Sequence, residues 1–437
     1  MTAVRSYALP APHASRRVGS IFRAMDRPWD ALLVALAVYL LTAVGRIHQL
    51  FPFLLPLKPL LLASAAAFLL HFVFPTARAA RDPRIAWRPG PLRWMVCLLA
   101  WAALSVPGAL WVGGAFHLVF DVLLKAVLMA AIVAGAVRSV GDVERLAGVY
   151  FAGIALYAGV VLATFSVGGD DWRLSHLFYY DANDFATIAV TALPIGVYFA
   201  LRGRGLLVRG AALAGLALTV TAFVWTGSRG GFVAAIVVGL YLLFGYSTIK
   251  LRWRVGATTF AVAVLSATAS DTYWEKMRSI FHPKDDYNLE SNEGRKAIWT
   301  RGIGYMLSHP ILGVGAGNFP TAEGTISPRA ARQSVGRGVK WQAAHNSYVQ
   351  VGAELGIPGL VCFLAMLGGA LRALFRRRRP RPEWAGPPDP RGRPLAQALA
   401  AALIGFATGA VFLSLAYTEA LYVLVALAAG LTRIPTW

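Results

Sequence analysis

Long apolar runs recur from residue 31 to residue 432, and arginine-rich stretches stand after every second one. A helix that crosses a bilayer needs about 20 residues, with some latitude for tilt. On that measure the pattern predicts about twelve membrane-spanning helices. They lie near 31–45, 52–74, 94–112, 116–137, 146–167, 184–201, 206–226, 229–246, 254–270, 346–373, 395–416 and 418–432. Backbone polar groups in hydrocarbon must be satisfied within the segment, so the expected fold class is all-α. Prolines 107 and 194 fall inside runs, which membrane helices tolerate when neighbours take up the freed carbonyls. The chain is 57% hydrophobic and only 14% charged, the balance of a polytopic integral membrane protein. Cys97 and Cys362 both sit in apolar runs, which argues against a structural disulfide.

The net charge of +21 raises the question of nucleic acid, but its distribution answers for a membrane. Arg and Lys cluster at 5–27, 78–93, 138–145, 202–209, 250–254, 376–393 and 433, on alternate loops. The positive-inside rule places those loops, and both termini, in the cytoplasm. Nucleic acid is not an expected partner; membrane lipids are. Arg16 and Arg17 faintly resemble a twin-arginine signal, but no small-residue cleavage site follows, so the start reads as an uncleaved cytoplasmic tail. The chain thus divides into 1–270, a tail with nine membrane helices; 271–344, a helical loop subdomain on the opposite side; and 345–437, the closing helices. A solvated Pro/Arg/Gly linker fills 375–394. Within the long loop, 291–309 reads as a helix capped by Ser291 or Asn292 and stopped by Pro310.

Three motifs converge on the non-cytoplasmic face. Ser228-Arg229-Gly230-Gly231 lies between two apolar runs, where a guanidinium beside a helix N-terminus can seat a phosphate. It can equally be a tight turn whose arginine snorkels to headgroups. Arg295 and Trp299 stand four apart on the predicted loop helix and share a face. That pair suits a pyrophosphate–sugar junction, or a solvated helix with one core tryptophan. His345-Asn346 opens an apolar run, with Glu354 about two and a half turns further on. The spacing makes Glu354 a partner of a neighbouring helix rather than of the histidine. Imidazole is the side chain best suited to proton transfer near neutral pH, though a membrane histidine is often only a hydrogen-bonder. Asp121 and Lys125, at i and i+4 within one run, read as a buried structural pair. Asp170-Asp171 and Asp285-Asp286 are adjacent pairs with no third ligand at a useful spacing, and 46–52 has no acid. No metal and no cofactor are expected.

These residues resemble a family. SRGG at 228–231, GRxxxW at 294–299, HPxLGxGxGNF at 309–319 and HNSYVQVGAELGIPGL at 345–360 look like those of O-antigen ligases, within the wider ligase/polymerase superfamily of bacterial envelope glycan enzymes. The segment 180–183 also resembles one that precedes a membrane helix in this family, apart from Asp181. The resemblance implies a metal-independent, inverting glycosyltransferase of the GT-C type in the bacterial inner membrane. It would move a glycan from undecaprenyl diphosphate to a sugar hydroxyl of lipid A–core at the periplasmic face. The family's functional positions fall on Arg229, Arg295 and His345. Ser228, Asn346, Trp299, Gly317, Asn318 and Asn183 are the expected substrate contacts.

Rival readings are an O-antigen polymerase or a protein O-oligosaccharyltransferase of the same superfamily. A lipid-linked oligosaccharide flippase or transporter belongs to a different class. A transporter places charges along a path at mid-bilayer, whereas here the predicted site residues gather at one face.

Overall fold

A computed structural model describes residues 29–73, 90–165, 173–174, 177–281, 294–330, 339, 341–376 and 388–434. Among the described residues the protein is helical throughout and has no strand. We label the principal helices α1 (Ala31–Ala43), α2 (Pro52–Val73), α3 (Pro91–Ser105), α4 (Val112–Ala136), α5 (Val140–Thr164), α6 (Ala182–Arg202), α7 (Leu206–Trp225) and α8 (Arg229–Gly245). The series continues with α9 (Leu251–Thr268), α10 (Asp271–Arg278), α11 (Arg295–Ser308), α12 (Phe319–Thr325), α13 (Ser347–Phe375), α14 (Gly392–Gly409) and α15 (Glu419–Leu431).

The described part of each predicted apolar run coincides with a helix. Among the described residues six helices, α2, α4, α5, α6, α7 and α13, are long and apolar enough to cross a membrane. The apolar helices α1, α3, α8 and α15 are shorter. α1, with 13 residues, reaches only about 20 Å at 1.5 Å per residue. The chain is a helical membrane protein.

α15 is the axis of the bundle. Every residue from Ala420 to Leu431 is buried, which is how a helix that is apolar all round must sit in a protein interior. It packs against α4 and α14, while α14 packs against α6 and α8. α3 lies along α13. At the margin, α9 buries none of its residues, and α2 buries little. Local sequence fixes several helix starts. Asp30 accepts from the Leu33 N–H at 2.9 Å, and Ser139 with Asp142 forms a reciprocal capping box at α5.

Two expectations need correction. α11 starts at Arg295 with Gly294 as its cap, while Ser291 and Asn292 lie outside the described residues. Asp121 and Lys125 do pair, at 3.2 Å, but their side chains are 50% and 68% exposed. Val119, Leu123 and Val127 occupy the buried line of α4. The charged pair is offset from that line by two residues, so it faces out.

Candidate functional site

The site is built on a break in α13. Gly356 leaves the helix with φ 68° and ψ −170°, and Pro358 has no N–H to give. The carbonyls of Ala353, Glu354 and Leu355 therefore lose their intrahelical donors, and buried carbonyls must find others. The 310–315 segment and α3 supply them. Val314 N–H donates to Ala353 O at 2.9 Å, and Gly315 N–H to Glu354 O at 3.0 Å. Trp101 Nε1 donates to Leu355 O at 3.1 Å. Ile357 N–H turns to Pro310 O at 2.8 Å instead. Two backbones can approach this closely only without side chains between them. A Cβ on Gly313 (φ 65°) would lie 2.3 Å from Glu354 C, and one on Gly356 would lie 2.4 Å from Ile311 O. The HPxLGxGxGNF and GAELGIPG motifs are thus two halves of one backbone joint.

That joint fixes the start of α13. Asn346 caps it, its Oδ1 accepting from Tyr348 N–H at 2.9 Å and Val349 N–H at 3.0 Å. His345, half-buried, holds the left-handed conformation at φ 49°, a strained choice for a residue with a Cβ. Its neighbours hold it there. Trp299 Nε1 donates to Ala344 O at 3.0 Å, and His345 N–H donates to Ser414 Oγ at 2.9 Å. Ser347 completes the clamp: its N–H donates to Ala410 O at 2.8 Å, and its Oγ donates to Leu413 O at 2.7 Å and accepts from Leu415 N–H at 2.9 Å. Glu354, buried, accepts from Tyr417 O–H at 2.8 Å and from Phe319 N–H at 3.3 Å. These partners outside α13 lie in the 410–418 loop and at the start of α12.

The same loop touches the second motif. Ser228 caps α8, its Oγ accepting from Gly231 N–H at 3.2 Å. A Cβ on Gly230 would come within 2.8 Å of the Phe412 side chain. Arg229, half-buried at this helix start, donates from Nη1 to Ser279 Oγ at 3.0 Å. The 410–418 loop therefore braces both the Arg229 and the His345 elements; the apolar pattern extends the preceding span to 416, but α14 ends at Gly409. Arg295 is the first residue of α11, one turn before Trp299. α11 is itself pinned to α12: Arg301 Nε donates to Glu323 Oε1 at 2.8 Å and Tyr305 O–H to the same oxygen at 2.8 Å. Hydrogen bonding to Glu323 holds the Arg301 guanidinium above its usual pKa.

The remaining expected contacts fare differently. Asn318 is fully buried; its amide accepts from Trp111 N–H at 2.8 Å and donates to Ala316 O at 3.0 Å. Its amide is committed to bonds within the fold. Gly317 packs against Leu118. Ser228, Asn346 and Trp299 hold backbone at the site's edge. Asn183 lies in the first turn of α6, its N–H donating to the capping Asp181 Oδ1 at 2.7 Å. Asp181, the departure from the family pattern, is therefore an effective helix cap. Beside that start, Tyr180 O–H donates to Val44 O at 2.9 Å. Arg46, also buried, stacks 3.7 Å over the Tyr179 ring and pairs with Glu419 at 3.1 Å. Burial works against the Arg46 charge, but Tyr180 and Glu419 leave its pKa raised. Asp170, Asp171, Asp285 and Asp286 lie outside the described residues.

Below Arg229 on α8, an almost wholly apolar cavity of about 580 Å³ opens between α6, α7, α8 and α9. Its lining includes Leu193, Leu216, Phe232 and, at the far end, Tyr246 and Arg254.

Residues 214–364 match the family model described as O-antigen ligase. The match takes in Arg229, Arg295, His345 and the α13 joint, about a third of the chain; the 410–418 loop lies beyond it. No curated protein matches the chain.

Proposed function

From the match of residues 214–364 to the O-antigen ligase family model, we propose that this chain transfers a finished glycan from undecaprenyl diphosphate to a sugar hydroxyl of lipid A–core. The observation that supports it most is the shared brace. The 410–418 loop meets the Arg229 helix through Phe412 and the His345 backbone through Ser414, so a basic residue and an imidazole are held by one element.

In this reading the acceptor oxygen attacks the anomeric carbon as the bond from that carbon to the diphosphate oxygen breaks. His345 takes the hydroxyl proton on a ring nitrogen, a role worth roughly 10²–10⁴-fold. Arg229 and Arg295 stabilise the charge that builds on the departing diphosphate. The diphosphate is already a good leaving group, so no acid, metal or cofactor is needed to expel it. Direct displacement inverts the anomeric centre. The apolar cavity under Arg229 gives the donor's polyprenyl chain a place beside its headgroup. The site faces the periplasm, with both termini cytoplasmic, in the inner membrane. A cysteine introduced at Thr325 should then label with an impermeant reagent in intact spheroplasts.

The test is the lipopolysaccharide banding of a deletion strain. Loss of the whole ladder while lipid-linked polymer accumulates supports the ligase. Retention of a single capped repeat overturns it in favour of the polymerase, and an intact ladder with underglycosylated protein points to the oligosaccharyltransferase.

A further inference from the structure

α4 contains a π-helical stretch, His117–Leu123, whose wider turn brings residues four apart nearly into line. His117, Asp121 and Lys125 all lie exposed along that line, over about 12 Å of helix. Yet α4 is one of the six helices long and apolar enough to cross a membrane. Lys125 is thirteen residues from its start at Val112 and eleven from its end at Ala136, hence close to mid-span. Ionised side chains that face lipid at that depth are costly, and in membrane helices they almost always face protein or water. The intrachain Asp121–Lys125 pair offsets part of that cost but remains on the outer surface.

We infer that this line is the contact between two copies of the chain. It carries both signs of charge one turn apart, so on a parallel copy each sign can meet its opposite diagonally, one turn along the helix. A two-fold axis along the bilayer normal, the commonest symmetry of homo-oligomers, sets α4 beside its copy. The flexible stem of Lys125 then reaches Asp121 of the other copy, and the two intrachain pairs become one network of four charges. Phe116 and Phe120, tilted at 41° with ring centroids 4.6 Å apart and both exposed, give the same face an apolar flank to pack. A lipid headgroup is the wrong occupant, because phosphates lie at the surface and not at mid-span. A partner helix of one charge sign would leave either Asp121 or Lys125 without an opposite.

The test is cross-linking of the full chain in native membranes, after Cys97→Ser and Cys362→Ser. Phe120→Cys should give a covalent dimer with a short thiol-reactive bridge. Leu218→Cys, equally exposed on α7, should not. Adding Lys125→Asp, which sets like charges against each other, should lower the dimer yield at least fivefold. The exchange Asp121→Lys with Lys125→Asp should restore it to within twofold, which separates a charge effect from misfolding. A yield at Phe120→Cys no higher than at Leu218→Cys overturns the inference. So does a yield indifferent to Lys125→Asp, a failure of the exchange to restore it, or an adduct containing a different protein. None of these readouts depends on the transferase reading.

Discussion

The hydroxyl of Ser414 accepts the backbone N–H of His345 at 2.9 Å, across 69 residues of sequence. With the Trp299–Ala344 bond, it holds the histidine in a left-handed conformation that the local chain would not choose. Ser414→Ala removes the acceptor and leaves a half-buried N–H unsatisfied, at a cost of about 1–3 kcal/mol. We expect the transfer rate to fall about tenfold with donor affinity nearly unchanged, and Ser414→Thr to recover most of it. Single-turnover kinetics on purified enzyme and lipid-linked donor would show whether binding falls instead.

His345 itself should behave as a base. The wild-type rate is expected to drop on acidification, as imidazole loses its ability to accept a proton. His345→Gln should retain a trace of activity without that acid limb, since an amide can position a hydroxyl but not deprotonate it. A residual activity that kept the wild-type pH profile would make His345 a positioning residue only.

Arg229→Lys keeps the charge but loses the planar fork that grips a diphosphate. Donor KM should rise about tenfold or more while folding, judged by thermal melting in detergent, stays as in wild type. A KM unchanged by the substitution would leave Arg229 a structural brace rather than a donor contact.

Glu323 is buried and shared by Arg301 and Tyr305. Glu323→Gln strands the Arg301 guanidinium, 12% exposed, without its counter-charge, and breaking such a buried pair costs about 3–5 kcal/mol. The expected result is early loss of the α11–α12 pair, read by proteolysis between α11 and α13 before the membrane helices melt.

Gly313→Ala and Gly356→Ala should each be severe. The positive φ costs about 1–2 kcal/mol for a residue with a Cβ, and the added carbon meets backbone at 2.3–2.4 Å. Gly304→Ala, where a Cβ meets nothing within 4 Å, should be silent by expression level and melting.

The helices were legible in sequence because hydrocarbon demands long apolar runs, and each run became a helix. Which of them cross was not, since α1 and α15 are apolar but short and only packing tells a buried helix from a crossing one. Arg229, Arg295 and His345 stood out as polar groups at run ends. The 410–418 loop did not, because Phe412 and Ser414 work through shape and backbone bonds that leave no pattern in residue type. The internal partners of Asn318, Trp111 and Ala316, were equally hidden, because an amide in a polar motif does not show in sequence which groups it bonds. Asp121 and Lys125 were paired correctly from their spacing, but spacing cannot say which way a helix face points.

The broken turn of α13 also has a mechanical meaning. A proline-glycine break usually gives a helix a place to flex. Here the loosened carbonyls are bonded sideways, to the 310–315 segment and to Trp101. What would be a hinge has become a weld between the segment ahead of α12, α3 and α13. Those parts are bonded into one body, so under the proposed function an opening for a bulky glycan is expected elsewhere. The thinly packed α9 side, where the apolar cavity lies, is the part of the molecule with room to give.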